Sequence, residues 1–97
     1  MARPEKLSEV YITEHLKNLH FWKRDGDSIL REIVTKNFTS AVGLINSIAI
    51  LAETMDHHPD ILLYGWNKLR ITLSTHDQGG LTDLDFKLAK KIEEIGF

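Results

Sequence analysis

Five histidines stand in a chain of 97 residues, and three of them fall in connecting segments: His57, His58 and His76. Histidine is the side chain whose ordinary pKa lies nearest neutrality, so such a cluster suits proton transfer in both directions. Carboxylates surround it in sequence: Glu53, Asp56, Asp60, Asp77 and Asp85. Glu53 lies four residues before His57, so a continuing helix brings their side chains together on one face. His76 ends an alternating stretch, on its polar side with Arg70, Thr72 and Ser74. A hairpin-like return from His58 to His76 sets both on one rim.

Each of these residues also has a plainer reading. A surface histidine pair is often solvated or a local cap. Asp85 stands three residues after Thr82, the spacing of a capping box, although Asp is shorter than the usual Glu or Gln. Trp22 and Trp66 read as core or interface aromatics. Glu53, His57 and His76 offer three ligands to zinc. Adjacent His57 and His58 project in different directions, however, so metal ranks below metal-free acid–base chemistry. No phosphate-loop or dinucleotide glycine pattern precedes a helix, and no serine lies in a nucleophile turn.

The composition bounds the rest. Twelve basic against fourteen acidic residues give a net charge of −2, without the basic excess that duplex binding uses. The absence of cysteine excludes disulfides, thiolate metal sites and thiol nucleophiles. No apolar run reads as approaching the roughly 18 residues of a membrane span. Residues 1–6 carry no apolar leader, so a single cytoplasmic domain over 1–97 with a mobile lead-in is expected.

The elements that must position the histidines follow from periodicity. Ser8 and the spacing of Ile12, Leu16 and Leu19 predict a helix over 9–19, with Leu7 and Ile12 as a staple. Asp25-Gly26 predicts a hairpin turn between Phe21–Arg24 and Ser28–Thr35. Thr39–Met55 is the longest predicted helix, capped by Thr39 or Asn37. Phe38, Val42, Ile45, Ala49 and Ala52 form one apolar stripe along it; Leu44, Ile48, Leu51 and Met55 form another. Two stripes imply cover on both sides, supplied by a second subunit or by the first helix, and the former is favoured. Ile61–Trp66 reads as a strand interrupted by Gly65, and Asn67–Thr75 as a half-buried strand. Thr82 caps a last helix over 83–95. The order predicts an α+β domain, a four-stranded antiparallel sheet with three helices on one face.

Glu53, Asp56-His57-His58-Pro59-Asp60, Asn67-Lys68, Thr75-His76-Asp77 and Gly79-Gly80-Leu81-Thr82 through Asp85 resemble the pterin-4a-carbinolamine dehydratase family. Some members double as the dimerization cofactor of a homeodomain transcription factor. The resemblance runs from the Trp22 region to the last helix. It implies subunits that join sheets edge to edge and pair through helices, as homodimers or homotetramers. It implies loss of water from a 4a-hydroxytetrahydropterin to a quinonoid dihydropterin, with the pterin as substrate and no cofactor or metal. His57 and His76 become the acid–base pair and His58 the pterin-orienting residue. Glu53 and Asp85 fix imidazole orientation or charge, and Pro59, Asp60 and Thr75 belong to the substrate-binding set. The implied context is recycling of the pterin used by an aromatic amino-acid hydroxylase, without direct nucleic-acid or membrane contact. This chain departs from the pattern at Asp60-Ile61, where the animal enzymes have an aromatic residue; Tyr64 or Trp66 is the candidate replacement. The other readings are a non-catalytic dimerisation or partner-stabilising module of the same fold, and a pterin-handling protein in another pathway, such as molybdopterin metabolism.

Overall fold

The computed structural model describes residues 4–97. Its elements run α1 (Glu9–Leu16), β1 (Trp22–Asp25), β2 (Ser28–Val34), α2 (Phe38–Met55), β3 (Asp60–Tyr64), β4 (Lys68–Leu73), a one-turn 3-10 helix at His76–Gln78, and α3 (Asp83–Glu93). The strands form one antiparallel sheet in the order β1-β2-β4-β3. The predicted class, α+β with the order α-β-β-α-β-β-α, is the observed one.

Alternation explains the layers. Ile29 and Ile33 of β2 and Leu69, Ile71 and Leu73 of β4 are buried, while Glu32, Val34 and Arg70 face water. Period-two burial of this kind puts one face of a sheet on a core and leaves the other wet. The core is completed by Ile12 from α1, by Ala41, Leu44, Ile48 and Ala52 from α2, and by Phe86, Leu88, Ala89 and Ile92 from α3.

Most elements end within one or two residues of the predicted bounds, and the larger differences have local causes. Helix α1 stops at Leu16, and Leu19 reaches the core from the following turns. Ser8 holds the N-cap position without a side-chain cap bond. Asp25 still pairs with Ser28, so the first hairpin turns on Gly26-Asp27, one residue later than expected, with positive φ needed only at Gly26. Strand β3 ends at Tyr64, because Gly65 (φ 53°) and Trp66 (φ 58°) both adopt left-handed backbone in the turn to β4. The lead-in expected to be mobile lies partly outside the described residues. Within them, Leu7 N–H donates to the Leu81 carbonyl at 2.8 Å.

Helix α2 is capped by Asn37, whose side chain accepts from the Ser40 N–H at 2.8 Å. Of its two stripes, the one through Leu44 and Ile48 lies on the sheet; of the other, Ala52 is buried and Ile45 packs against the core, while Phe38, Val42 and Ala49 face outward. By length and composition this 18-residue helix just reaches what a membrane span requires, which corrects the expectation that no apolar run approaches it. Its packing along Ala41, Leu44, Ile48 and Ala52 is that of a core helix on a sheet.

Candidate functional site

The C-terminus of α2 delivers the first two histidines. Asp56 is left-handed (φ 48°), its N–H bonds to the Glu53 carbonyl at 3.2 Å, and the His57 N–H returns to the Ala52 carbonyl at 3.1 Å. That pair of bonds is the Schellman closure, which satisfies the last carbonyls and turns the chain out of the helix. His57 therefore has its backbone fixed by the helix end itself. Pro59 follows and cannot resume a helix.

Early closure changes one predicted contact. The helix does not persist to His57, so Glu53 does not meet it as the four-residue spacing suggested. Glu53 Oε1 instead lies 3.1 Å from His58 Nε2, on an exposed surface. His57 turns inward, is 4% exposed, and sets Nε2 at 2.6 Å from Asp85 Oδ1.

Asp85 is fully buried and accepts from three directions. Its Oδ2 takes the Thr82 N–H at 2.9 Å, closing the capping box of α3, and the Thr75 hydroxyl at 2.9 Å. Its Oδ1 takes His57. Thr75 and Thr82 are also buried, with their hydroxyl oxygens 2.8 Å apart. Because Thr75 has one hydroxyl proton and gives it to Asp85, the proton between the two threonines comes from Thr82. The donors then run Thr82 to Thr75 to Asp85, with His57 donating from the other side. A carboxylate has no proton of its own to offer, so His57 carries its hydrogen on Nε2 and keeps Nδ1 for other work.

The same carboxylate links the two histidine segments. Asp60 pairs with Thr72, so His57-His58-Pro59, entering β3, and Ser74-Thr75-His76, leaving β4, emerge at the same end of the sheet. Thr75 bridges Gly80 around the one-turn helix, and His76 opens that turn on the surface. A Cβ at Gly80 would meet Lys6 Cε at 2.8 Å, the far end of a flexible side chain that can move aside. The structure thus brings together His57, His58, Thr75, His76, Asp85, Pro59 and Asp60 at one sheet end, with Glu53 above on α2.

Other residues are placed elsewhere. Tyr64 and Trp66 sit at the opposite end of β3 from Asp60, so neither reaches this chain's own histidines. Trp22 is core, its indole N–H bonded to Glu93 Oε1 at 2.8 Å, whereas Trp66 is 62% exposed. Two hollows of about 460 Å³ are lined by neither His57, His58 nor His76; one lies between α1 and α3 and the other between β2 and α2. The zinc trio is not assembled, since Glu53 engages His58 and His57 engages Asp85. Among the described residues, no group of three or more His, Asp or Glu side chains is arranged to hold a metal ion. Thr82 is the residue that the sequence reading saw only as a cap. Its capping-box position was visible, but its hydroxyl bond to Thr75 depends on the turn at Gly79-Gly80.

The family described as pterin 4 alpha carbinolamine dehydratase matches over residues 5–95. A relative from Sulfurisphaera tokodaii, provisionally named a pterin-4-alpha-carbinolamine dehydratase, is 42% identical over 91 residues, covering 94% of this chain and 97% of its own. One from Chloroflexus aggregans with the same provisional name is 45% identical over 91 residues, covering 93% and 96%. Among solved structures, a transcriptional coactivator/pterin dehydratase from Brucella melitensis superposes with TM-score 0.90 at 34% identity, over 96% of this chain and all of that one. A pterin dehydratase-like RuBisCO assembly factor of the alpha-carboxysome shares the fold, with TM-score 0.65 at 19% identity over 78% and 89%. With the match spanning nearly every residue, this chain belongs to the pterin-4-alpha-carbinolamine dehydratase family.

Proposed function

We propose that the protein removes water from a 4a-hydroxytetrahydropterin by histidine acid–base catalysis, and that His57 and His76 are the pair that moves the protons. A proton is delivered to the 4a-hydroxyl, the C4a–O bond breaks, water leaves, and the N5 proton is taken up. The product is the quinonoid dihydropterin, with atoms and charge in balance. Each positioned transfer contributes about 10²–10⁴-fold.

The observation that carries this reading is the single buried carboxylate that ties the two segments together. Asp85 holds the His57 ring through Nε2 and, through Thr75, anchors the residue preceding His76. Nδ1 of His57 is then the nitrogen that exchanges a proton with substrate. His58, steered by Glu53 on the exposed side, binds and orients the pterin, with Pro59 and Asp60 beside it. No metal or organic cofactor enters this scheme. The product belongs to the recycling of a pterin used by an aromatic amino-acid hydroxylase, in the cytoplasm. The working form is a homodimer or homotetramer, assembled through the free edge of β3 and the outward face of α2.

Stopped-flow absorbance of a synthetic 4a-hydroxytetrahydropterin tests the assignment. Wild-type protein accelerates its dehydration, His76→Ala loses about a hundredfold or more, and His20→Ala, at another exposed histidine, leaves the rate unchanged. Equal rates for the two variants would remove His76 from the mechanism.

A further inference from the structure

The hollow between α1 and α3 has a lining that the histidine site does not use. Helix α1 ends at Leu16, and the Lys17, Asn18 and Leu19 N–H groups each bond to the carbonyl three residues back. Those turns drop Leu19 into the core and leave Asn18 on the rim. The facing wall comes from α3, where Asp83, Phe86, Lys87 and Lys90 recur at i, i+3, i+4 and i+7 and so share one stripe. The space between the two walls is about 460 Å³.

Its floor is apolar and partly flat. Leu19 and Phe86 are buried. The His15 ring lies on the Phe86 ring, with centroids 4.8 Å apart and planes 23° from parallel. The His15 side chain keeps 41% of its surface in water, so the stack forms a wall of the hollow and not a piece of the core.

Its rim carries both signs of charge in separate places. Lys87 and Lys90 are neighbours of like charge on one helix face, and neither has an ion pair or hydrogen bond among the described residues. Asp83, one turn before Lys87, leans to His15 instead, with Oδ1 3.6 Å from Nε2. The helix dipole accounts for an acid at the start of α3 and a base near its end. It does not call for a ring stack between them.

A ligand that meets all of this carries a ring for the floor, a carboxylate for the lysines and a cation for Asp83. Asp83 repels a pure anion, and the lysines repel a pure cation. Residues four apart on a helix set their Cβ atoms about 5–6 Å from each other. A carboxylate and an ammonium borne on one carbon span that gap.

We infer that this hollow binds a free α-amino acid with an aromatic side chain, held as its zwitterion between Asp83 and the Lys87–Lys90 pair, with its ring on Leu19, Phe86 and His15. The site is separate from the histidine site. Asp85 points through the core to His57, whereas Asp83 points out to α1. The inference therefore stands apart from the dehydratase reading.

Titration of the isotopically labelled full chain with L-phenylalanine, followed by heteronuclear NMR, tests it. Saturable shifts are expected at the His15 ring and the Leu19 methyl groups, and none at His57 or His76. A ligand of this size on a surface hollow should show a dissociation constant of about 1 mM. Phenylpropionate, which lacks the ammonium, should bind about threefold more weakly. The Lys87→Ala/Lys90→Ala variant should weaken L-phenylalanine by about tenfold. Asp83→Asn should abolish the preference for L-phenylalanine over phenylpropionate, with circular dichroism verifying the fold of both variants. Shifts that do not saturate by about ten times the expected constant would overturn the proposal. So would a wild type that binds phenylpropionate as tightly as L-phenylalanine, folded variants that bind as the wild type does, or shifts centred on His57 and His76.

Discussion

At the scale of single residues, Asp85 performs two tasks with one carboxylate. One oxygen closes the capping box of α3 and accepts from Thr75; the other orients His57. The two tasks separate by substitution. Thr82→Ala removes the cap hydroxyl and its bond to Thr75 but leaves the His57 bond, so it should cost about 1–2 kcal/mol of stability and keep activity within about tenfold. Asp85→Asn removes a buried charge from all three donors. It should cost about 2–4 kcal/mol and release the His57 tautomer, visible as a change in imidazole ¹⁵N shifts, with a larger loss of rate than Thr82→Ala. Equal effects on rate would mean that Asp85 acts only as a cap. The sequence showed the Thr82–Asp85 spacing, and the resemblance tied Asp85 to the histidines, but no pattern announced that one carboxylate does both. The Glu53 contact was misplaced by one residue for a local reason: Asp56 takes a left-handed conformation without being glycine. Asp tolerates that conformation better than most residues, and it closes the helix directly after Met55, the end the sequence predicts.

At the scale of elements, the strand alternation and the helix stripes were legible because burial in this fold follows period. Turn positions were less so, since Asp25-Gly26-Asp27 offers two adjacent turn pairs and the sheet register chooses the second. The wet face of the sheet carries its own electrostatic device. Glu32 on β2 accepts from the Tyr64 hydroxyl on β3 and from Arg70 Nε on β4 at 2.7 Å. The Tyr64 hydroxyl bond, and then Arg70, hold the Glu32 carboxyl below its ordinary pKa. A carboxyl depressed by folding contributes stability above its unfolded pKa, about 4.3, and loses it as pH falls through the folded value. Thermal melts of wild type and Glu32→Gln should therefore differ at pH 7 and converge as pH drops below about 4. A difference that stays constant over that range would show that the charge of Glu32 contributes nothing through these bonds.

At the scale of the whole molecule, the doubly apolar character of α2 was visible in the sequence, and the structure shows which half stays outside. Phe38, Val42 and Ile50 are exposed on a helix whose opposite side is packed on the sheet. Substituting Val42→Asp places a charge on the outward face without disturbing the core beneath. A charge trapped without a partner in an interface costs about 3–5 kcal/mol, a hundredfold or more in association. Light scattering should report a smaller species for this variant, with unchanged circular dichroism. An unchanged mass would show that this face takes no part in assembly.

The reaction itself is the property on which all three scales converge. The most direct measurement is the stopped-flow dehydration of 4a-hydroxytetrahydropterin by wild-type protein and by the His57→Ala/His76→Ala double variant, with folding of both verified by circular dichroism. The account predicts rapid dehydration by the wild type and a rate for the folded double variant no faster than the uncatalysed reaction. A double variant that dehydrates the pterin as fast as the wild type would contradict it.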